Sequence, residues 1–198
     1  MFNKSAWRLL AGMSICLLAD SALAGSIMRT GGVTTQPVGH YDFCIQYPAE
    51  CTQRSTDNAP IELTRKLWSA LQKVNNAANL AIEPITDQNL WGISERWSYP
   101  NKRGDCEDYV LAKRRALMEL GVPASDLLIT VVRQQTGEGH AVLTVRTSRG
   151  DYVLDNLEPK ILLWSKTTYR FLKRQSEFDS GQWVSVSDGR APIVGSVK

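Results

Sequence analysis

The stretch GDCEDY at residues 104–109 sets one cysteine, Cys106, among carboxylates. The apolar residues that follow recur at helical spacing up to Gly121, and Pro123 forbids continuation, so Cys106 is predicted to lie in the first turn of a helix. The unpaired N–H groups and partial positive charge of a helix N-terminus favour a thiolate. The stretch therefore predicts a cysteine nucleophile at the start of a helix.

Two side chains of the kind that activate a thiol follow downstream. His140 and Asp155 lie at the edges of strand-like runs, since 127–133, 140–146 and 152–155 are separated by turn-rich residues. The spacing predicts antiparallel hairpins. A histidine that takes the thiol proton and an acid that orients the histidine complete an activated nucleophile.

The hairpin geometry allows the histidine and the acid to meet. If the chain turns around Ser148 and Arg149, Asp155 lies opposite Val142 and is the diagonal neighbour of His140. Diagonal neighbours are roughly 7–8 Å apart at the backbone, within reach of a hydrogen bond between these side chains. A slip of one residue would break this geometry. The opposite face of the strand is apolar and predicts a core covered by a helix (Ala141, Leu143 and Val145).

Each of these residues also has an interpretation without catalysis. Taken alone, His140 is typical of a hydrogen-bonded core histidine, and Asp155 of a turn at a strand end. His40 is an alternative source of imidazole, but no acid is paired with it nearby. A zinc site of Cys106, His140 and Asp155 lacks a fourth ligand at the usual spacing. The three residues together favour catalysis.

The N-terminus predicts export. The apolar run 9–19 is too short to span a bilayer comfortably, and residues 22–24 read Ala-Leu-Ala, the pattern of a cleavage site. Residues 1–24 are therefore interpreted as a signal peptide, with the mature chain starting at Gly25. An uncleaved anchor is the alternative.

Export changes which cysteines are expected to form a disulfide. Removal of Cys16 leaves three, of which two should pair in an oxidising compartment. Cys44 and Cys51 are close in sequence, and Pro48 favours a turn between them. Their disulfide leaves Cys106 as the free thiol, which supports its role as a nucleophile.

Composition indicates an ordinary globular protein of one domain. Of the 198 residues, 43% are hydrophobic and 22% charged, with a formal net charge of +3. The densest basic cluster, 113–115, spreads around a helix and is interpreted as a solvated face. A nucleic-acid patch is the less favoured alternative.

The chain divides into four segments. After the signal peptide comes an extended arm, 25–59, that ends in the disulfide loop. The main domain is 60–186, where apolar residues at helical spacing predict a helix over 61–80 and a last helical or strand section covers 157–186. Residues 187–198 are interpreted as a loose tail.

Two tryptophans, Trp91 and Trp97, precede the nucleophile. Packing in the core is the favoured interpretation. The alternative is that they line a substrate cleft or donate an indole N–H to an oxyanion.

The three motifs at 104–109, 139–143 and 152–157 resemble those of the bacterial transglutaminase-like cysteine proteinases. The periplasmic LapG-type proteases, which release large surface adhesins, are the best understood members. The resemblance spans roughly residues 60–175. It implies an α+β, papain/transglutaminase-like fold, with the nucleophile at a helix N-terminus packed on an antiparallel β-sheet.

The resemblance also assigns roles to residues. Cys106 would be the nucleophile, His140 the base and later the acid, and Asp155 the orienting acid, with the backbone N–H of Cys106 in the oxyanion hole. In LapG-type enzymes the acids that flank the cysteine help to bind calcium. Asp105 and Glu107 hold those positions here and offer the oxygen ligands that Ca²⁺ prefers. The alternative is that they cap the helix.

The implied function is that of a periplasmic cysteine endopeptidase. Its partners would be a protein substrate, with a large surface adhesin as the candidate, and an inner-membrane regulatory receptor; a monomer that binds no nucleic acid is expected. Residues 39–44 and 95–97 depart from the adhesin-cleaving members. Acyl transfer to an amine, as in transglutaminases or amidases, and a non-catalytic periplasmic binding module are the alternatives.

Overall fold

A seven-stranded antiparallel sheet organises the protein in the computed structural model, which describes residues 27–57 and 59–188. The strands are β1 (Thr30–Thr34), β2 (Glu83–Pro84), β3 (Arg103–Gly104), β4 (Leu127–Arg133), β5 (Gly139–Thr147), β6 (Gly150–Leu154), β7 (Leu162–Leu163), β8 (Arg170–Gln175) and β9 (Trp183–Val186). The sheet has the order β1-β9-β8-β4-β5-β6-β7, and β2 and β3 form a separate parallel pair.

Helices cover one face of this sheet. They are α1 (Val38–Gln46), α2 (Pro48–Cys51), α3 (Arg65–Ala81), α4 (Asp87–Trp91) and α5 (Cys106–Glu119), with short 3₁₀ helices at Ala124–Asp126 and Trp164–Lys166. Within the described ranges, no helix has both the length and the apolar character that a bilayer crossing requires. The predicted signal peptide, 1–24, lies outside the described residues.

Helix α5 packs on the central strands β4 and β5 and so places its first residue at the sheet. The apolar residues of α5 and of the facing strands are buried in one core (Val110, Leu111, Leu117, Leu127, Ile129, Ala141, Leu143 and Val145). Each fully buried side chain of this size contributes about 1.5–3 kcal/mol. The α+β architecture expected from the sequence is confirmed, with the helix-covered face of β5 as predicted.

The described part of the segment 25–59 is more structured than an extended arm. Thr30–Thr34 pairs with β9 at the edge of the sheet, and two helices follow. Pro48 is the first residue of α2, where its missing N–H costs nothing. The predicted disulfide between Cys44 and Cys51 is confirmed, with the two Cα atoms 5.7 Å apart.

The helix predicted over 61–80 begins later, at Arg65. The hydroxyl of Thr64 caps it by accepting a hydrogen bond from the N–H of Leu67 at 3.1 Å. Ile61 is instead held by the β5–β6 hairpin, because its carbonyl accepts a hydrogen bond from the N–H of Ser148 at 2.9 Å. A tertiary contact therefore overrides the apolar period at 61–64.

The basic cluster 113–115 is not a solvated face, and that interpretation was wrong. Lys113 and Arg114 are buried, at 0% and 2% exposure. The guanidinium of Arg114 donates to the carbonyl of Leu127 and to Glu50, both at 3.0 Å. Only Arg115 remains partly exposed, and its guanidinium stacks on a tyrosine ring. Two of the three basic side chains therefore lie in the interior of the protein.

The C-terminal end continues the sheet. The section 157–186 contains strands β7, β8 and β9, and the described part of the predicted tail is hydrogen-bonded to it. Ser187 donates its N–H to Arg29 at 2.8 Å, and the carboxylate of Asp188 accepts from the N–H of Phe171 at 2.6 Å. The rest of the tail, 189–198, lies outside the described residues.

Candidate active site

The thiol of Cys106 lies at the start of α5, as the sequence predicts, but its partner is unexpected. The thiol donates a hydrogen bond to Oε2 of Glu107, at 2.9 Å. Burial, followed by the adjacent Glu107 carboxylate, raises the pKa of the Cys106 thiol above its usual range. A protonated thiol, rather than the expected thiolate, is therefore the state that this arrangement favours.

His140 and Asp155 meet through the predicted hairpin register. Leu143 pairs with Leu154 across β5 and β6, which sets the next residues, Val142 and Asp155, opposite one another. Nε2 of His140 lies 2.8 Å from Oδ1 of Asp155, and both side chains are buried. The other ring nitrogen, Nδ1, is left for a different partner.

Asp155 accepts hydrogen bonds from two groups besides His140. Its Oδ2 accepts a hydrogen bond from the hydroxyl of Tyr169 at 2.5 Å, and its Oδ1 accepts one from the N–H of Leu157 at 3.0 Å. Burial alone would raise the pKa of Asp155, but the hydrogen bonds and charge from His140, with those from Tyr169 and Leu157, lower it below the usual value. Asp155 is therefore a carboxylate with a defined orientation.

Cys106 and His140 line one open cleft of about 330 Å³. The walls combine apolar groups with a few charges (Pro37, Glu95, Trp97, Glu107, Val131, Gly139, Ala141 and Lys173). Such a mixture is typical of a binding site, in which apolar contacts supply affinity and a few placed polar groups fix the orientation of the ligand.

Of the two tryptophans, Trp97 both packs in the core and lines the cleft. It is buried, at 4% exposure, and packs in the main core, yet its ring also lines the cleft. Its indole N–H donates to Glu95 at 2.7 Å. Trp91, in contrast, is 46% exposed and stacks under the guanidinium of Arg96.

Three carboxylates meet beside the thiol. The side chains of Asp87, Asp105 and Glu107 bring their oxygens within 4.8 Å of one another. Burial and the charge of Asp87 raise the pKa of Asp105 to about 6, and burial and the charge of Asp105 raise that of Glu107 to about 8. Burial also raises the pKa of Asp87. The raised pKa values indicate that the negative charges of these carboxylates are not balanced by a nearby positive charge.

The donor set of this cluster fits a calcium ion. Oδ1 of Asp87 and Oδ1 of Asp105 are buried and have no hydrogen-bond partner among the described residues. Asp105 occupies the N-cap position of α5 but makes no side-chain cap; its Oδ2 instead accepts from the N–H of Asp87 at 3.3 Å. Helix capping therefore does not explain the acid at 105, whereas three oxygen donors suit a hard cation.

The alternatives of zinc and of His40 find no support in the described part of the chain. Cys106, His140 and Asp155 do not converge as a metal-binding group there. As a source of imidazole, His40 does not line the cleft that Cys106 and His140 share, and the two sulfurs beside its ring are joined in the disulfide between Cys44 and Cys51.

Sequence reasoning missed three residues of the site. Asp87 completes the acidic cluster from a helix 18 residues before Asp105, and Tyr169 and Asn79 bind Asp155 from other elements. Asp87 follows the cap residue Thr86, and that pattern signals only a helix start. No local pattern marks Tyr169 or Asn79.

The chain is similar to known proteins in both sequence and structure. The family model of the bacterial transglutaminase-like cysteine proteinases (BTLCP) matches residues 30–191. Solved structures of LapG from Legionella pneumophila are similar: one is 29% identical, with 60% of this chain and 67% of that chain covered and a TM-score of 0.50. The EGTA-treated form is 28% identical, with 62% of this chain and 72% of that chain covered and a TM-score of 0.50. The calcium-bound form is 28% identical, with 66% of this chain and 75% of that chain covered and a TM-score of 0.53. A comparison with curated proteins found no match.

Proposed function

Since the chain belongs to the bacterial transglutaminase-like cysteine proteinases and is a cysteine peptidase, we propose that Cys106, His140 and Asp155 are its catalytic triad. The observation that carries the proposal is the 2.8 Å hydrogen bond between His140 and Asp155 at the cleft that Cys106 also lines. Because this bond uses Nε2, it leaves Nδ1 of His140 to receive the thiol proton.

The residues then act in a defined order. The thiol proton of Cys106 passes to His140, and the sulfur attacks the carbonyl carbon of the scissile peptide bond. The imidazolium gives its proton to the leaving amine as the C–N bond breaks, which leaves a thioester. His140 next takes a proton from water; the hydroxide displaces the thiolate, and the products are a carboxylate and the free enzyme. The backbone N–H of Cys106, which lies in the first turn of the helix, stabilises the oxyanion.

Asp87, Asp105 and Glu107 would hold the calcium ion. Bound calcium supplies positive charge that offsets the carboxylates beside the nucleophile. Once Glu107 serves as a ligand it no longer accepts the thiol proton, which leaves His140 as the acceptor. The buried oxygens of Asp87 and Asp105 that lack partners support this assignment, as does the calcium-bound form of the similar LapG structure.

We also propose a cellular location, a substrate and a regulator for the reaction. The signal-like residues 1–24 and the disulfide support a periplasmic location. A protein substrate follows from peptidase activity. A large surface adhesin as substrate and an inner-membrane receptor as regulator are proposals that rest on similarity to LapG.

Labelling with iodoacetamide in the presence of calcium tests the triad. We expect rapid, selective alkylation of Cys106 in the wild type and slow alkylation in His140→Ala. Slow alkylation of the wild type that is indifferent to His140 would support a non-catalytic binding module instead. The substrate would be identified as a periplasmic protein that accumulates uncleaved in cells with Cys106→Ala.

A primary amine separates hydrolysis from acyl transfer. Cleavage of that protein in the presence of a fluorescent amine should give a free carboxylate at the new C-terminus, as read by mass spectrometry. Predominant incorporation of the amine would identify a transferase.

A further inference from the structure

A second concave surface lies beside the cleft of the candidate active site. It is a groove of about 310 Å³, close in size to the cleft itself at about 330 Å³. The ends of α1 and α4 form one part of the groove, and side chains from the segment 96–103 form the rest. The proposed mechanism gives this groove no role.

The segment 95–98 is a wall that the groove and the cleft share. Glu95 and Trp97 line the cleft, whereas Arg96 and Ser98 line the groove. Side chains that alternate in this way point to opposite sides of an extended chain. The two concave surfaces are therefore separated by the thickness of one chain. An extended polypeptide advances about 3.3 Å per residue, so it needs only a few residues to pass from one surface to the other.

Buried carboxylates hold the shared wall in place. The N–H of Arg96 donates to Oδ2 of Asp87, and the N–H of Ser98 donates to Oδ1 of Asp108 at 2.8 Å. Both acids are buried. On the side of the groove, the guanidinium of Arg96 lies 4.2 Å from the centroid of the Trp91 ring. The groove is therefore formed before a ligand arrives, which lowers the entropic cost of binding.

Positive charge and aromatic surface characterise the groove. Its charged side chains are Arg96 and Arg103, and none of the described residues that line it is acidic. Arg103 has only an exposed partner, Glu83, at 3.7 Å, and such pairs contribute little. Trp91 and Tyr47 add aromatic rings. A guanidinium binds a carboxylate through paired N–H groups, and a ring binds apolar side chains. The groove therefore fits an acidic polypeptide segment that also carries apolar residues.

We propose that this groove is a second binding site for the protein substrate, and that it takes an acidic segment a few residues away from the bond that Cys106 attacks. The inference rests on the proposed peptidase function and adds a chemical class of substrate to it. Carboxylates of the segment pair with Arg96 and Arg103, while an apolar side chain packs on Trp91. Because Cys106 does not line the groove, the occupant contributes to binding rather than to the chemical step.

Binding of labelled peptides to the Cys106→Ala protein tests the groove without any need for catalysis. The probes are a fluorescent peptide of repeated Glu-Phe-Gly sequence and the same peptide with Lys in place of Glu, and binding is measured by anisotropy with calcium present. We expect the acidic peptide to bind and the basic one not to bind. Arg96→Gln and Arg103→Gln should each weaken binding of the acidic peptide by about fivefold, and raised salt should weaken it further.

Arg54→Gln is the matched control for these variants. Arg54 is also an exposed arginine, paired with Asp179 at 2.7 Å, but it does not line the groove. The control should bind the acidic peptide as the parent protein does. The double variant Arg96→Glu/Arg103→Glu should reverse the preference and bind the basic peptide instead. An equal loss in Arg54→Gln, or unchanged binding of the acidic peptide in the double variant, would overturn the proposal.

Cleavage shows whether the occupant of the groove is the substrate. For the protein that accumulates with Cys106→Ala, Arg96→Gln/Arg103→Gln should lower kcat/KM by about tenfold, mainly through a higher KM. Unchanged cleavage by a variant that no longer binds the acidic peptide would assign the groove to another partner and overturn the proposal. A wild type whose Cys106 is not alkylated by iodoacetamide, while the peptides bind as expected, would instead count against the proposed catalysis and not against binding of an acidic segment.

Discussion

The two histidines of the chain are both buried, yet their surroundings differ in kind. His40 is 1% exposed and His140 is 5% exposed. Around His40 the hydrogen bonds come from neutral groups: Gln36 and Trp183 lie 2.6 and 3.2 Å from Nδ1, and Gln175 lies 3.2 Å from Nε2. His140 instead pairs with a carboxylate and borders an open cleft.

The difference shows that partners and access, rather than burial, distinguish a structural histidine from a candidate base. Burial, aided by the charge of Arg114, lowers the pKa of His40 to about 4, so its ring stays neutral. The disulfide sulfurs beside it, at 3.5 and 3.8 Å, leave no room for a substrate. Asp155 instead orients the ring of His140 through a 2.8 Å hydrogen bond, as the proposed base requires.

The largest effect expected is on turnover. His140→Ala should lower the rate of substrate cleavage by about 10³-fold, because His140 is the group that takes the thiol proton in the proposed mechanism when Glu107 serves as a calcium ligand. His40→Gln should leave the rate within about twofold, since the ring of His40 does not line the cleft. The measurement is cleavage of the protein that accumulates with Cys106→Ala. Equal losses in both variants would remove the distinction between the histidines.

Calcium bound at the acidic cluster beside Cys106 should raise the stability of the protein. At about 100 times its dissociation constant, a bound ion adds about 2.7 kcal/mol to the free energy of unfolding. For a chain of this length, that corresponds to a rise of roughly 5–10 °C in the melting temperature, reversed by EGTA. Asp87→Asn should abolish most of this rise.

Asp126→Asn is the matched control for the calcium experiment. Asp126 is a buried acid outside the cluster, paired with Arg146 at 3.5 Å. The variant should be less stable but should respond fully to calcium. A full response in Asp87→Asn would exclude the proposed ligand set.

The neutral state of His40 should appear as a dependence of stability on pH. Because its folded pKa of about 4 lies below the ordinary value of 6.5, the unfolded chain binds the proton first as the pH falls. Its contribution is complete above about pH 6.5 and is lost towards pH 4. Between pH 7.5 and 5, the wild type should lose about 2 kcal/mol relative to His40→Gln, as measured by urea unfolding. An unchanged difference between the two proteins would mean that His40 is protonated in the fold.

The smallest effect concerns Tyr169. Tyr169→Phe removes one hydrogen bond from Asp155 but leaves those from His140 and Leu157. We expect alkylation of Cys106 to slow by about threefold, or roughly 0.7 kcal/mol. Tyr109→Phe is the control, because its hydroxyl bonds the carbonyl of Ile82 instead. A wild-type rate in Tyr169→Phe would show that the remaining hydrogen bonds suffice to orient Asp155.

Local patterns in the sequence predicted the framework of the site. The helix start at Cys106, the register that sets Asp155 opposite Val142 and the disulfide are all decided by residues close in sequence. Period and turn chemistry act over such distances, so they can be read without a structure. The start of α3 at Arg65 was missed because the contact that displaces it comes from the β5–β6 hairpin.

The surroundings of each functional atom were beyond such reasoning. Lys113 was predicted to face solvent, although it is fully buried, since a helical period cannot show which sides of a helix the rest of the protein covers. The thiol was expected to be a thiolate on account of the helix N-terminus, but burial, followed by the nearby carboxylate of Glu107, raises its pKa instead.

The sequence by itself determined which residues are candidates for the chemistry: a cysteine at a helix start, a histidine and an acid on one hairpin, and acids that flank the cysteine. Only the tertiary structure decided their protonation and partners, through Asp87 in the acidic cluster and Tyr169 on Asp155. The physical reason is that a pKa and an orientation depend on charges and donors within a few ångströms. Those neighbours come from elements far apart along the chain.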